Sequence, residues 1–254
     1  MDNTALVGLS RQVALARQLD VLANNMANIN TTGFKADGSL FAQYLMPDAR
    51  DGNFSGTDGR LNFVQDRASW LDLSQGVIQQ TGNPLDVALD GKGYLIVQTP
   101  KGQRYTRNGA LQVNAAGQLV TSQGYQVLGD SGPIVIQPTD RDIVINQDGS
   151  IRVREGAATD DSSRGRLRVV EFANPLLLQK DGASTFTAGE AVQPQTAKDT
   201  RVVQGALEKS NVQGILEMTR LIEVTRSYGE VAAMLQQESE LSTNAIDKLA
   251  EVPA

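Results

Sequence analysis

The feature that most constrains this chain is a pair of amphipathic, helix-forming segments at its two ends. In the C-terminal segment, 207–251, apolar residues recur at steps of three and four, the spacing of one helix face: Ile215, Met218, Leu221, Ile222, Val224, Tyr228, Val231 and Leu235. No proline interrupts the pattern before Pro253. About forty helical residues would span roughly 60 Å, so such a helix must project beyond a small globular part.

The N-terminal segment, 4–29, carries a similar apolar stripe, and turn-forming residues follow it at 30–33. The stripe consists of Leu15, Leu19, Leu22, Met26 and Ile29. Small side chains along its flank would allow another helix to approach closely: Val13, Ala16, Ala23 and Ala27. Only two acidic and two basic residues occur in 1–30, which predicts a helix buried on most sides.

The middle of the chain reads as β-rich. Strand-sized apolar runs alternate with turn residues between 93 and 153, the pattern of antiparallel hairpins in a small sandwich or barrel. The runs lie at 94–97, 110–113, 118–121, 125–128, 134–136, 143–145 and 150–153, and a later one at 166–172. The stretch 47–66 is rich in Gly, Asp and Asn and reads as an extended loop.

Together these patterns predict an α+β chain whose terminal helices form one coiled-coil-like domain around an inserted, mainly antiparallel β domain. The predicted boundaries are an N-terminal helical region at 1–33, a linker at 34–75, a β domain at 76–190, a return segment at 191–206 and a C-terminal helix at 207–254. A lone helical hairpin has too few neighbours to bury its apolar area. We therefore expect copies of the chain to cover it, in open heterologous contacts that build a filament.

Composition removes several other classes of function. The net charge is −6 and no basic patch typical of nucleic-acid binding occurs; Arg164, Arg166 and Arg168 fit the solvated face of a strand. The chain has no Cys and no His, which removes the commonest metal ligands, thiol nucleophile and neutral-pH base. No apolar run is long enough to span a membrane, and no cleavable signal peptide is recognisable. We expect no catalytic residue, metal or cofactor.

Three short patterns could carry chemistry. Asp86 and Asp90 lie four apart in a strand pattern, and a carboxylate pair is the minimum for glycoside hydrolysis. Turn signals flank both residues, at 83–84 and 90–91, which favours a structural use. Neither 91–93 nor 146–149 completes a phosphate or calcium loop. A carbohydrate-binding or carbohydrate-active β domain stays as the less favoured alternative to an assembling subunit.

Asparagines cluster where the first helix should end. Asn24 and Asn28 share one helix face, and Asn amides can bridge the backbone groups of neighbouring elements. We expect Asn24 and Asn25 to serve an interface or a cap, and Asn30 to form a turn. The predicted assembly interface is therefore Leu15, Leu19, Leu22, Asn24, Asn25, Met26, Asn28, Ile29, Ile215, Met218, Leu221, Ile222, Val224, Tyr228, Val231 and Leu235.

The stretch 23–35, ANNMANINTTGFK, closely resembles the signature of the flagellar axial proteins, the rod and hook family. Its motif turn is Asn30, Thr31, Thr32, Gly33 and Phe34. Three more blocks resemble the same family, at 76–94, 104–109 and 205–212, so the resemblance extends over most of the chain. The opening at 6–12 is most similar to proximal-rod subunits, with the distal-rod subunit as the alternative.

This resemblance implies a structural subunit of the flagellar basal-body rod. Its terminal helices would line a narrow axial channel, with the β domain outside them. The implied partners are copies of the chain, other proximal and distal rod proteins, the surrounding bushing rings and the flagellar type III export apparatus. The implied location is the periplasm-spanning rod, reached without a cleaved signal peptide, where the tube transmits torque and conducts exported substrates.

Overall fold

The computed structural model describes residues 2–46, 61–156, 161–182, 184–189 and 192–250, which form two compact units. The helical unit is built from 2–27, the strand segments between 37 and 70, and the chain from 213 onward. The β unit contains 28–36 and 71–212. The predicted α+β class, with a helix at each end and antiparallel sheet between them, is confirmed.

The helical unit contains two long helices and a two-stranded sheet. Helix α1 is Asp2–Ala27 and helix α2 is Gly214–Ala250, and they pack against each other. Strands β1 (Asp37–Met46) and β2 (Leu61–Leu71) pair with each other. The prediction of a linker at 34–75 is therefore wrong for these strands. The predicted loop at 47–66 lies outside the described residues up to 60, and its last part belongs to β2.

The two helices run antiparallel and lie close together. A side-chain carbon built on Gly8 would lie 2.7 Å from Leu235 Cδ2, and the amide of Asn25, near the other end of α1, donates to Glu217. Of the described residues, 26 are in α1 and 37 in α2. Because Gly8 lies beside Leu235, Asp2 is level with Leu241, and about two and a half turns of α2, at 242–250, have no α1 residue beside them.

The main sheet of the β unit has ten strands among the described residues, and they pair antiparallel. Other strands of the β unit form smaller sheets. The strands of all these sheets, in chain order, are β3 (Ile78–Gln80), β4 (Val87–Asp90), β5 (Tyr94–Thr99), β6 (Gly102–Thr106), β7 (Leu111–Val113), β8 (Leu119–Thr121), β9 (Gln126–Gly129), β10 (Gly132–Pro133), β11 (Asp140–Ile145), β12 (Ser150–Glu155), β13 (Asp161–Arg166), β14 (Val169–Phe172), β15 (Gln179–Lys180), β16 (Thr185–Thr187), β17 (Pro194–Thr196), β18 (Arg201–Gln204) and β19 (Ala206–Glu208).

The central path of this sheet runs β15-β16-β6-β5-β9-β8-β7, with β10 beside β9, β14 beside β5 and β17 beside β14. Strands β11, β12 and β13 form a separate sheet, and β4 and β3 pair with β18 and β19. The predicted return segment at 191–206 thus contains two strands: β17 belongs to the main sheet, and β18 pairs with β4. Of the predicted run at 134–136, only Val135 forms a bridge, with Gln118.

Strand β5 separates two hydrophobic cores. Because successive side chains of a strand point to opposite faces, Leu95 and Val97 enter one core while Tyr94 and Ile96 enter the other. All four side chains are buried. This placement explains why the sequence there is continuously apolar rather than alternating.

The C-terminal helix starts later than predicted. It begins at Gly214 rather than at 207, because Ala206, Leu207 and Glu208 pair with 78–80 as strand β19. A strand pairing over long range overrides the local helical spacing at this end. None of the helices among the described residues is long and apolar enough to cross a membrane.

Ion pairs of Arg164, on β13, link it to side chains on β11 and β12 of the same sheet. Arg164 donates to both carboxylate oxygens of Asp140, over 2.7 Å and 2.6 Å, and to Glu155 over 2.6 Å. Hydrogen bonds from Arg164 hold the pKa of Asp140 below its usual value of 3.8. Asp140 therefore favours the folded state when it is ionised.

We predict that this carboxylate makes the β unit sensitive to acid. Its folded pKa lies below its unfolded one, so its contribution is present above about pH 4 and is lost as pH falls through the folded pKa. Urea unfolding between pH 5 and pH 3 should show a smaller acid loss for Asp140→Asn than for wild type. At pH 7 this variant should lose about 1–3 kcal/mol of unfolding free energy.

The matched control is Asp130→Asn, at an exposed aspartate of the same unit. It should retain the wild-type loss of stability on acidification. An equal acid loss in wild type and Asp140→Asn would show that the ion pair of Arg164 does not set this sensitivity.

Candidate functional site

The asparagine cluster joins the elements of the helical unit. The Asn25 amide nitrogen donates to the backbone oxygen of Asp37 over 2.8 Å and to Glu217 Oε2 over 3.2 Å, while its oxygen accepts from Asp37 N over 2.9 Å. Asn25 is 2% exposed. Asn24 also donates to the Asp37 carboxylate, over 3.1 Å. Within one chain, Asn25 thus fixes α1 to the first residue of β1 and to the first turn of α2.

The last two predicted interface positions of the first helix are not helical. Helix α1 ends at Ala27, so Asn28 and Ile29 lie in the turn that follows. Asn28 accepts bonds from Thr31, through its backbone oxygen and its side-chain oxygen, both over 3.1 Å. These bonds close the turn, as expected for this residue type.

The rest of the motif is built into the β unit. Gly33 has φ +67°, and its N–H donates to the backbone oxygen of Glu208 over 2.8 Å. A side-chain carbon at Gly33 would meet the backbone of Arg107 and Asn108 at 2.5 Å. Thr32 donates to Asn108 over 2.8 Å, and Phe34 is fully buried. The motif turn therefore requires glycine both for its backbone angle and for the space beside it.

A buried ionic cluster follows this turn. Glu208 accepts from Lys35 Nζ over 2.5 Å and from Arg107 Nη1 over 3.2 Å, and the N–H of Gly76 donates to it over 2.9 Å. The three charged side chains are at most 2% exposed. One carboxylate thus connects the segment after α1, the β sheet and the segment before α2. We call Lys35, Arg107 and Glu208 the ionic cluster.

The remaining donors of the ionic cluster bond mainly to backbone oxygens. Lys35 donates to Ser74 O over 2.6 Å, and Arg107 donates to Leu89 O and Gly91 O over 3.2 Å and 2.6 Å. Arg107 Nε is buried without a hydrogen-bond acceptor. Burial lowers the pKa of Lys35, although the neighbouring Glu208 carboxylate opposes that shift. Two cations share one carboxylate here, so removing it would leave both uncompensated.

Two cation–π contacts lie at the ionic cluster and beside it. The guanidinium carbon of Arg107 lies 5.0 Å from the ring centre of Tyr94, and the Lys180 ammonium lies 3.9 Å from that of Phe34. Lys180 also donates to the backbone oxygen of Lys35 over 2.8 Å. Rings at these distances attract the cations electrostatically.

The predicted helix stripes divide into covered and open positions. Leu22, Val224 and Val231 are buried within the chain, and Leu15, Leu19, Met26, Leu221, Tyr228 and Leu235 are half-buried. Ile215 is 89% exposed, and Met218 and Ile222 are also exposed. Further exposed apolar side chains that the sequence analysis did not select are Leu6, Leu9, Leu216, Met234, Leu241 and Ile246.

The ionic cluster was missed in the sequence analysis as a set, although its members lie in the blocks at 23–35, 104–109 and 205–212. A lysine, an arginine and a glutamate read as surface residues by type alone. The available signal was that three blocks resembling one family each contain a charged residue beside a turn or strand. Their contact over 173 residues of sequence, between Lys35 and Glu208, only the fold reveals.

The candidate carboxylate pair has a structural use at Asp86. Its carboxylate accepts from Thr81 Oγ1 over 2.7 Å and from Asn83 Nδ2 over 3.0 Å, which closes the turn before β4. Arg164 and Arg166 are paired with Asp140 and Asp148. In the described part of the chain, no group of three or more metal-ligating side chains comes together.

Three family models match the chain. The model described as flagella basal body rod protein matches 6–35, that of the flagellar hook protein FlgE/F/G D1 domain matches 88–153, and that of the flagellar basal body rod FlgEFG protein C-terminal matches 203–247. The matches fall on α1 with its motif turn, on the centre of the β unit, and on α2 with its lead-in strands.

Named relatives match along the whole length. The flagellar basal-body rod protein FlgF of Caulobacter vibrioides is 38% identical over 99% of this chain and 100% of its own length. FlgF of Mesorhizobium japonicum is 33% identical, covering 98% of both proteins. FlgG of Agrobacterium fabrum is 34% identical over 89% of this chain and 91% of its own length.

The three family models define the class of this chain, a structural subunit of the flagellar axis. The full-length matches narrow that class further. The chain belongs to the flagellar basal-body rod protein family, with FlgF proteins matching it end to end. The predicted resemblance is thereby confirmed, and the role is that of a rod structural subunit in the basal body.

We predict that Gly33→Ala destabilises the β unit far more than Gly82→Ala. Both glycines have a left-handed backbone, at φ +67° and +75°, which costs about 1–2 kcal/mol for alanine. Gly82 faces open space, whereas Gly33 faces backbone at 2.5 Å, which adds about 1–3 kcal/mol. Urea unfolding of the two purified variants measures the difference, and equal losses would contradict the close packing at Gly33.

A second prediction concerns the ionic cluster. Glu208→Gln should lower the free energy of unfolding by about 3–5 kcal/mol, because it leaves the buried charges of Lys35 and Arg107 without a counter-charge. The control is Asp148→Asn, which removes the charge of the exposed pair with Arg166 and should lower the free energy of unfolding far less, because solvent screens an exposed pair. Similar losses in both variants, measured by urea unfolding, would contradict a special role for the buried carboxylate.

Proposed function

We propose that the chain is a proximal-rod subunit whose terminal helices assemble, in a coiled-coil-like manner, with those of neighbouring subunits into a tube. The β unit would lie outside this tube. The observation that carries the proposal is the set of apolar side chains that both helices leave exposed. On α2 these include Ile215, Ile222 and Leu241, which are 89%, 53% and 60% exposed.

Burial of these side chains supplies the energy for assembly. Burying an exposed Leu or Ile contributes about 1.5–3 kcal/mol, and exposed apolar surface of this extent on a soluble protein marks an interaction site. The last turns of α2, which include Ile246, have no α1 residue beside them. Neighbouring helices are the natural cover for these turns.

The ionic cluster would transmit load through each subunit. It holds the segment after α1 and the segment before α2 to the same β sheet through one carboxylate, so neither segment can move without the other. A subunit that transmits torque needs this kind of stiffness where the chain leaves its helices. Family membership supports the further expectations of a periplasm-spanning rod, an axial channel for exported substrates and export by the flagellar type III apparatus.

The proposed partners are copies of the chain, adjacent proximal and distal rod proteins, and the bushing rings. The alternative of a distal-rod subunit is supported by FlgG relatives at 30–34% identity, which cover 83–92% of this chain. The FlgF relatives, at 32–38%, cover 98–99% of it, which favours the proximal position. A structural role without catalysis agrees with Asp86 closing a turn.

The test is Ile222→Glu, expressed in a flagellated host that lacks its own copy. We expect the purified variant to unfold at the wild-type temperature within about 2 °C, because Ile222 is exposed. We also expect swimming and the yield of purified rods to fall at least tenfold, because a charge would be buried between subunits.

The control is Glu223→Gln at the neighbouring exposed position, which should swim normally. Normal rods containing Ile222→Glu would exclude this face from the assembly. Binding or cleavage of glycan strands by wild-type chain that never enters rods would favour the carbohydrate alternative instead.

A further inference from the structure

Helix α2 has a second apolar face that is exposed in the described part of the chain. Ile222 and Gly229 lie seven residues apart, each two positions before a buried valine, Val224 and Val231. Two positions correspond to about 200° around a helix. The face with Ile222 and Gly229 is therefore opposite to the face that packs on α1. We call it the open face of α2.

Gly229 is unexplained by the single chain. It is exposed in the interior of a long helix, and a side-chain carbon built on it would have nothing within 4 Å. Glycine at such a position lowers helix stability relative to alanine. A helix glycine is useful where another backbone or a large side chain approaches closely, and none does so here among the described residues.

Helix α1 has a matching open face. Leu6 and Val13 are 50% and 58% exposed, and each lies two positions before a residue that faces inward, Gly8 or the half-buried Leu15. The open faces of the two helices thus lie on opposite sides of the helical hairpin. A sideways shift of one hairpin by its own width brings the open face of α1 onto the open face of α2 in the next copy.

Two contacts between α1 and α2 show which residues of the two helices are at the same position along the helix axes. Gly8 lies beside Leu235, and Asn25 lies beside Glu217. Because both helices rise equally per residue, Val13 is level with Gly229. The most exposed large side chain in the middle of α1 is therefore at the height of the glycine.

The same pairing of large with small side chains continues along both faces. Leu9 is level with Ala233, and Ala27 is level with Ile215; both alanines are exposed. Charge agrees with this alignment, because exposed Asp20 lies about one helical turn from the height of exposed Arg226. Leu9, Val13 and Ile215 therefore each meet an alanine or glycine when two copies lie at equal height, whereas Leu6 and Ile222 are level with the polar side chains of Gln236 and Asp20.

We infer that the open face of α1 in one copy packs on the open face of α2 in a neighbouring copy at about the same height, with Val13 in the space over Gly229. The inference rests on the proposed function and adds its partner face and register. The two faces differ, so the contact is heterologous and repeats from copy to copy. Contact with a neighbouring copy thus explains the glycine at position 229, which no contact among the described residues of the single chain explains.

The test uses engineered cysteines, because the chain has none of its own. The double variant Val13→Cys/Gly229→Cys should give a ladder of disulfide-linked multimers when isolated rods are oxidised. The two positions lie on opposite sides of one hairpin, so they cannot bridge within a chain. The control, Val13→Cys/Ile215→Cys, is displaced by 14 positions, about 21 Å, and should give no ladder.

A second pair of variants keeps the inference testable if cysteines impair assembly. Gly229→Leu should raise or maintain the thermal midpoint of the monomer and yet reduce swimming at least tenfold. Adding Val13→Ala in the same chain should restore a large part of the swimming, because the smaller alanine makes room for the leucine at the same contact.

The outcomes separate the two proposals. Rods that contain the cysteine variant without a ladder, a ladder from the displaced control, or no rescue by Val13→Ala would overturn this register while leaving the rod function intact. Absence of the wild-type chain from rods would overturn the proposed function itself.

Discussion

The interaction on which the rest of the structure depends is the buried carboxylate of Glu208, shared between Lys35 and Arg107. It joins three stretches that are far apart in sequence, and it does so in the dry interior of the β unit. A buried charge pair contributes little net stability compared with apolar packing. Its value here is specificity, because any displacement of the motif turn or of β19 leaves a charge without its partner. The two ends of the β unit are therefore fixed to one point.

The glycine beside this carboxylate shows the same constraint in the backbone. Gly33 adopts a left-handed angle and approaches the backbone of Arg107 and Asn108 too closely for any side chain. Its N–H is donated to the backbone oxygen of Glu208. The motif is thus a docking element whose threonine, glycine, phenylalanine and lysine each make a separate contact within the β unit. Two of its asparagines, Asn24 and Asn25, serve the helical unit instead.

The helices present the opposite situation, in which contacts are left unmade. Their inner faces satisfy each other through Leu22, Val224 and Val231, so a single copy can hold a hairpin together. Their outer faces, with Val13 and Ile222, have no cover among the described residues of the chain. A subunit of this kind combines one interior that is complete by itself with one surface that only neighbours complete, which suits a protein built into a rod.

The sequence alone determined the two terminal helices, the antiparallel β character and the family. The first two follow from local periodicity, because apolar spacing of three and four or runs bounded by turns are short-range signals. The family was predicted from the resemblance of four separated sequence blocks. Only the tertiary structure decided that α2 begins at Gly214, that 37–46 pairs with 61–71, and that Lys35, Arg107 and Glu208 meet. These features depend on pairings over long range, which local propensity does not encode. The faces of α1 and α2 were likewise divided into covered and open ones by the antiparallel alignment of the helices, since spacing shows which residues share a face and not what that face will touch.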